Sequence, residues 1–435
     1  YVAFSDRDPS YLAYYDGKPV IFLTAEQRAH TNIFALTKAI DDEILSFQKT
    51  LPESIKIATL FKQSDGVENR VNGFFELGFQ PIDVLNFTIR AGADLSDREL
   101  EQWRPIEFAG APNNINRPGT IRVANSKTSQ FNLDAITTFN KNITEDLSLT
   151  VLAGLNVRDN KAETTTAQQP ALGIAGFRSL NNASAPPIVG QGFAQRRLVG
   201  AYGQASVGFK NTYHLELTAR NDWSSTLPVD ANSFFYWSTA ANVIVSELID
   251  LGPINSLKVR GAYSQVGNDA QPYNTSSTYI VGLDPNINSQ RSSAYPFTGF
   301  VGARASNTVG NPALKPETTK GFEIGAEMGI LNERISFDVA YYDQLSEDQI
   351  QPVAVPNTTG FTTRILNAGS IRNKGVEMIL TAVPVEGEFT WTVSMNYTKN
   401  NNIVEEIAPG LDKINLGGIT SGGAAMNIVA IPGEP

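Results

Sequence analysis

Few residues in this chain are equipped for chemistry. It holds no cysteine and only two histidines, His30 and His214. Thiolate nucleophiles, disulfides and sulfur-ligated metals are therefore excluded. His30 has no second ligand at a metal-binding spacing and reads as a solvated loop residue. His214 lies in Tyr213-His-Leu-Glu-Leu-Thr-Ala-Arg220. Strict alternation there puts His214, Glu216, Thr218 and Arg220 on one face and Leu215, Leu217 and Ala219 on the other. The polar four read as a hydrogen-bonded wall, with a substrate or metal ligand as the alternative use of the imidazole. Carboxylates are the remaining candidates. Glu323 and Glu327 share a face of one apparent strand, and Asp338 and Tyr342 share a face of the next. Paired carboxylates cleave glycosides when one serves as acid and the other as base or nucleophile. They equally make a charged wall, and that is the reading adopted here. The sequence shows no phosphate-cradling glycine loop between strand and helix, no nucleophile elbow and no zinc signature. The expectation is a non-enzyme without cofactor or metal.

The elements that carry these residues repeat. Twelve segments alternate apolar and polar positions, and their connectors alternate short and long. Val71, Gly73, Phe75, Leu77 and Phe79 turn at Gln80–Asp83 into Leu85, Phe87, Ile89, Ala91 and Ala93. Phe131, Leu133, Ala135 and Phe139 lead through Lys141–Glu145 into Leu147, Leu149, Val151, Ala153, Leu155 and Val157. Further pairs are expected near 196–209 and 212–222, 234–246 and 256–266, 317–330 and 334–344, and 372–383 and 389–399. Lys210-Asn211 and Leu331-Asn332-Glu333 are two of their short links. Long polar connectors are expected at about 95–127, 159–195, 267–316 and 345–371.

This double alternation suits an all-β protein, a transmembrane antiparallel β-barrel with short periplasmic turns and long extracellular loops. Soluble propellers and sandwiches also alternate, but they do not require connectors sorted by length. Only 41% of residues are hydrophobic, and no run reaches the roughly 18 apolar residues of a membrane helix. Barrel strands put only alternate residues into lipid, so modest hydropathy is expected. Tyr213, Trp237, Tyr341, Phe389, Trp391 and Tyr397 are expected near strand ends as interfacial girdle residues. A net charge of −10 argues against nucleic acid as a partner. Residues 70–400 form the expected strand-and-loop region. Residues 1–69 read as a barrel-associated loop region, in which Ile33, Leu36, Ile40, Ile44 and Phe47 recur at helical spacing up to Pro52; a distorted strand pair is the alternative. Residues 401–435 read as the start of a further long loop. A first residue Tyr and a final Ile-Pro-Gly-Glu-Pro suggest an internal portion of a longer chain.

Four strings then narrow the family. Asn311-Pro312-Ala-Leu-Lys315-Pro316-Glu317-Thr-Thr-Lys, followed by Gly-Phe-Glu-Ile-Gly-Ala-Glu, resembles a stretch of TonB-dependent outer-membrane receptors. Ile371-Arg-Asn373-Lys374-Gly375-Val-Glu377 resembles a signature of the SusC/RagA-type transporters of Bacteroidetes. Ala219–Pro228 and Ser256–Asn268 look like the same family, in the same order. The resemblance covers roughly residues 70–405. It implies a barrel of about 22 strands closed by an N-terminal plug, neither the plug nor a TonB-contacting segment being visible here. It implies TonB-dependent import of large nutrients, oligosaccharides or peptides, with a SusD-like surface lipoprotein as lid, the TonB complex as energy source and outer-membrane lipid around the wall. The lumen-facing residues named above then meet plug residues or substrate, whereas the Asn311–Glu317 and Asn373–Glu377 strings read as structural, with paired prolines holding the chain extended and Gly375 permitting close backbone approach at a strand start. A structural subunit of an envelope or secretion assembly and a siderophore-type receptor are the alternatives.

Overall fold

The computed structural model describes residues 13–15, 18–20, 46, 66–104, 106, 119–184, 186–281, 303–408, 410–421 and 424–434. The expected helix at 33–47 falls outside the described residues apart from Ser46, which is helical.

Twelve strands form one sheet in which every neighbour in sequence is a neighbour in space. They are β1 (Gly66–Ile82), β2 (Leu85–Arg104), β3 (Thr120–Asn142), β4 (Leu147–Gln169), β5 (Ile188–Phe209), β6 (Tyr213–Ser224), β7 (Ser233–Ile244), β8 (Ile254–Asn268), β9 (Glu317–Ile330), β10 (Ile335–Glu347), β11 (Ser370–Val385) and β12 (Trp391–Glu406). The short links are tight because their residues accept the left-handed region: Lys210 and Asn211 both have φ 54°, and Leu331, Asn332 and Glu333 have φ 55–63°. Two such residues in succession match the right-handed twist of the strands they join.

Register carries the two faces across the sheet. One row of paired residues runs His214, Asn242, Arg260, Gly325, Ala340, Glu377, Thr398 from β6 to β12. The row beside it runs Leu215, Ala241, Gly261, Ile324, Tyr341, Val376, Lys399. A slip of one residue would exchange the faces, so the alternation in sequence fixes the parity of the register, though not the stagger in steps of two.

The core sits in an unusual place. On the apolar face Leu155 is 61% exposed, Phe235 60% and Phe322 46%. Fully buried apolar residues lie instead where connectors pack: Leu227, Ala270, Leu314 and Ile365 form one cluster, and Val353, Ala368 and Ala408 another. A water-soluble sheet covers its apolar face with a second layer. Among the described residues no second layer covers this one.

The strands outrun the expected lengths. β2 continues through Arg104 and β3 begins at Thr120, inside the expected 95–127 connector; β4 continues to Gln169 and β5 begins at Ile188, inside the expected 159–195 connector. Alternation is enforced only where one face meets hydrocarbon. Beyond it both faces are polar, as in Asp97-Arg98-Glu99 and Thr164-Thr165-Thr166, while ladder bonds and β-branched residues carry the strand on. Tyr341 and Tyr397 lie within strands because those strands run on to Glu347 and Glu406; Trp237 also lies within its strand, whereas Tyr213, Phe389 and Trp391 lie at or beside an end. The 345–371 connector holds strands Ile350–Ala354 and Thr363–Asn367, which join Thr308–Val309 in a small sheet. Residues 401–435 hold the end of β12 and a hairpin, Ile414–Ser421 with Ala424–Ala430.

The chain divides into two compact units, residues 72–94, 129–161 and 194–435 in one and residues 1–71, 95–128 and 162–193 in the other. In the latter, the 170–187 connector is organised by buried Asn182. Its Oδ1 accepts from the backbone N–H of Gly173 and Ile174, and its Nδ2 donates to the carbonyls of Ile174 and Phe177. The ion pair between Arg178 and Glu101 also lies within that unit.

Candidate functional site

The polar face of the sheet carries three clusters. The first spans β3 to β7. Asn156 Nδ2 donates to Asn132 Oδ1 at 3.0 Å and to Asp134 Oδ1 at 2.8 Å. Arg220 donates through Nε to Asp222 Oδ1 at 2.8 Å and through Nη2 to Asn156 Oδ1 at 3.3 Å, with its guanidinium 5.4 Å from the Tyr202 ring centroid. The Tyr236 hydroxyl donates to Asp222 Oδ2 at 2.6 Å. Asn156 and Asp222 are buried. Space for this packing comes from Gly200, where a Cβ would stand 2.3 Å from Asp222 Oδ1 and 2.4 Å from Arg220 Nη2.

The second cluster spans β8 to β10. Arg260 reaches Glu327 at 2.9 Å, Asp338 at 3.0 Å and Glu323 at 3.6 Å, and Lys258 reaches Glu327 at 3.0 Å. Three carboxylates thus surround two cations, and all five side chains keep at least a quarter of their surface open. Glu327 and Asp338 are direct partners across β9 and β10, and Arg260 bridges them.

The third cluster joins β10 to β12. The Tyr342 hydroxyl donates to Asn400 Oδ1 at 3.2 Å, and Asn373 Oδ1 accepts from Asn402 Nδ2 at 2.7 Å. Gly375 lies beneath Tyr342: a Cβ there would meet the Lys399 carbonyl at 2.3 Å and the Tyr342 hydroxyl at 2.7 Å. The close approach is as expected, but the string lies inside β11 rather than at its start. Lys374 is on the apolar-face parity, opposite Asp343 and Asn401, and Glu377 is on the polar face opposite Ala340 and Thr398.

The remaining sequence candidates are scattered. His214 pairs with Gly208 and Asn242 and joins no ionic cluster. Glu216 accepts from Gln204 Nε2 at 2.9 Å and Ser206 Oγ at 3.3 Å. The Asn311–Glu317 string is a structural node. Asn311 Oδ1 accepts from the Ala313 N–H at 3.0 Å, so the chain bends at Pro312-Ala313 instead of running straight; Asn side chains make this turn by capturing an N–H two residues on. Leu314 is fully buried, and Glu317 accepts from Asn268 Nδ2 at 2.8 Å and the Ile350 N–H at 2.7 Å. Ser224, Thr226 and Arg196 all converge on buried Asp269. Leu227 clusters with Leu314, and Asn268, beside Asp269, donates to Glu317, so the strings 219–228, 256–268 and 311–317 come together here.

Sequence reasoning misses Arg260, Lys258, Asp222, Tyr202, Tyr236 and Asp269 as cluster members. Their parity is legible: Lys258 and Arg260 alternate with Leu257 and Val259. Which carboxylate each meets depends on the stagger between strands, which alternation does not encode.

Residues 38–427 match the family described as TonB dependent receptor-like, beta-barrel. TonB-dependent receptor P26 of Formosa agariphila is 28% identical over 84% of this chain and 37% of its own length. TonB-dependent receptor SusC of Bacteroides thetaiotaomicron is 28% identical over 49% of this chain and 21% of its own. The structure of the RagAB peptide transporter superposes with a TM-score of 0.68 at 20% identity, covering 85% of this chain and 39% of that one. The chain thus spans between about a fifth and two fifths of the length of these relatives. An exposed apolar face, a polar face rich in ion pairs and the order of the strings agree with the match, and the chain belongs to the TonB-dependent receptor-like β-barrel family of the bacterial outer membrane.

Proposed function

We propose that this chain supplies part of the wall of a SusC-like importer that takes up oligosaccharides or peptides with energy from the TonB complex. The observation that carries the reading is the ordered family match over residues 38–427, with a relative named SusC. In this reading the apolar face with Leu155, Phe235 and Phe322 lies in lipid, and the face with His214, Glu216, Arg220, Glu323, Glu327, Asp338 and Tyr342 lines the lumen. The half-open Glu323, Glu327 and Asp338 meet the plug or passing substrate. The Asn311–Glu317 and Asn373–Glu377 strings hold the wall together. A SusD-like surface lipoprotein covers the exterior, where the long connectors offer binding surface on a rigid scaffold.

Energised uptake has a direct test. The full-length protein, reconstituted in liposomes, is expected to be impermeable and to become a passive pore once its plug is deleted. Co-purification of a lipoprotein from the native membrane separates this reading from a siderophore-type receptor, for which none is expected. Impermeability that persists without the plug counts against import and favours a structural role in an envelope assembly.

A further inference from the structure

Where the apolar face ends toward the long connectors, the wall is indented. A cleft of about 360 Å³ is lined by Ser233 and Phe235 of β7, Gln265 of β8, Thr318 of β9, Lys315 and Asp348. Phe235, Gln265 and Thr318 share the apolar-face parity with the Trp237–Tyr263 ring pair, whose centroids are 5.3 Å apart. The cleft is therefore continuous with the lipid-facing band and lies at its upper rim, where headgroups rather than acyl chains surround the protein.

Its charges are set out for a ligand. The backbone of Lys315 is clamped by Asn367, which accepts from its N–H at 2.9 Å and donates to its carbonyl at 2.8 Å. The side chain is exposed, and among the described residues its ammonium has no ion-pair partner. Lys320, by contrast, is satisfied by Glu347 at 2.5 Å. A free ammonium on a fixed backbone, in one cleft with the exposed ring of Phe235, suits a molecule with an anionic head and an apolar body. Asp348 disfavours a bare phosphate and favours a head that offers hydroxyl donors beside its phosphate.

We infer that this cleft seats the phosphate-bearing sugar headgroup of an outer-leaflet glycolipid, with Lys315 on the phosphate, Asp348 and Gln265 on sugar hydroxyls, and Phe235 against the first acyl carbons. The test uses the full-length protein in phosphatidylcholine nanodiscs, titrated with diphosphorylated lipid A or its dephosphorylated form and read by native mass spectrometry. Lys315→Gln is expected to lower retention of the phosphorylated lipid about tenfold, the loss of one charge-assisted contact. Lys315→Arg retains it, and Lys374→Gln, a cation elsewhere on the same parity, leaves it unchanged. Asp348→Asn, at a turn position with φ 55° that Asn adopts readily, is expected to tighten it, and serves if Lys315→Gln does not fold. Equal retention of the two lipids, equal loss in Lys374→Gln, or weaker binding in Asp348→Asn overturns the assignment.

Discussion

The clusters around Arg220 and Arg260 use the same chemistry to opposite ends. Each sets an arginine among carboxylates on the polar face. Around Arg220 the carboxylate Asp222 is 4% exposed, and its two oxygens are taken by Arg220 and Tyr236. Around Arg260 the carboxylates Glu323, Glu327 and Asp338 are 48%, 43% and 40% exposed. A buried ion costs several kcal/mol to dehydrate, roughly, so it persists only when every partner is in place. A half-open ion pays almost nothing and contributes little. The first cluster therefore fixes three adjacent hairpins to one another, and the second leaves negative charge available to whatever enters.

The sharpest way to break this contrast is Asp222→Ala. It removes the buried carboxylate that Arg220 and the Tyr236 hydroxyl share, both of them half-buried, and the expected loss is about 3–5 kcal/mol, read by urea titration of the full-length protein with heat-modifiable migration as the marker of the folded barrel. Leu155→Arg sets the scale for the opposite face. Leu155 neighbours Asn156 in sequence but points away from the cluster, and a cation in lipid is expected to cost about 2–4 kcal/mol at mid-membrane depth. Gly200→Ala tests the seat itself. A methyl group 2.3 Å from Asp222 Oδ1 must push the carboxylate off Arg220, and the expected loss in the same titration is about 1–3 kcal/mol. A cost within error for Gly200→Ala would mean the strand relaxes and the buried pair is not rigidly placed.

Much of this architecture is legible in the chain, for a physical reason. Where one face meets hydrocarbon, every second residue is constrained, so Leu215-Glu216-Leu217-Thr218 declares both faces. Lys210-Asn211 declares its turn because few residues tolerate two successive left-handed conformations. Asp97–Glu99 and Thr164–Thr166 declare nothing, because water on both sides leaves the pattern free, and the strands there pass unnoticed. The Arg260 cluster is half legible: Glu323, Glu327 and Asp338 can be placed on the polar face, but the pairing of Arg260 with residues more than sixty positions away follows from strand stagger. The 219–228 and 311–317 strings are recognisable by resemblance, yet their meeting through Leu227 and Leu314 appears only in three dimensions.

The smallest expected effect sharpens the comparison most, because it predicts how the two clusters diverge with salt. Glu327→Gln removes the negative charge shared by Lys258 and Arg260, but Arg260 keeps Asp338 and Glu323, and water reaches all of them. The stability cost should be at most about 1 kcal/mol at low salt. The Debye length falls from roughly 10 Å at 0.1 M to roughly 3 Å at 1 M, so that cost should vanish as salt is raised. The cost of Asp222→Ala should change less, because the Asp222 carboxylate is 4% exposed and mobile ions screen a buried charge weakly. Parallel titrations of the two variants at low and high salt make the distinction. An equally salt-dependent cost for Asp222→Ala would show that solvent reaches the Arg220 cluster, and the two clusters would then differ in degree and not in kind.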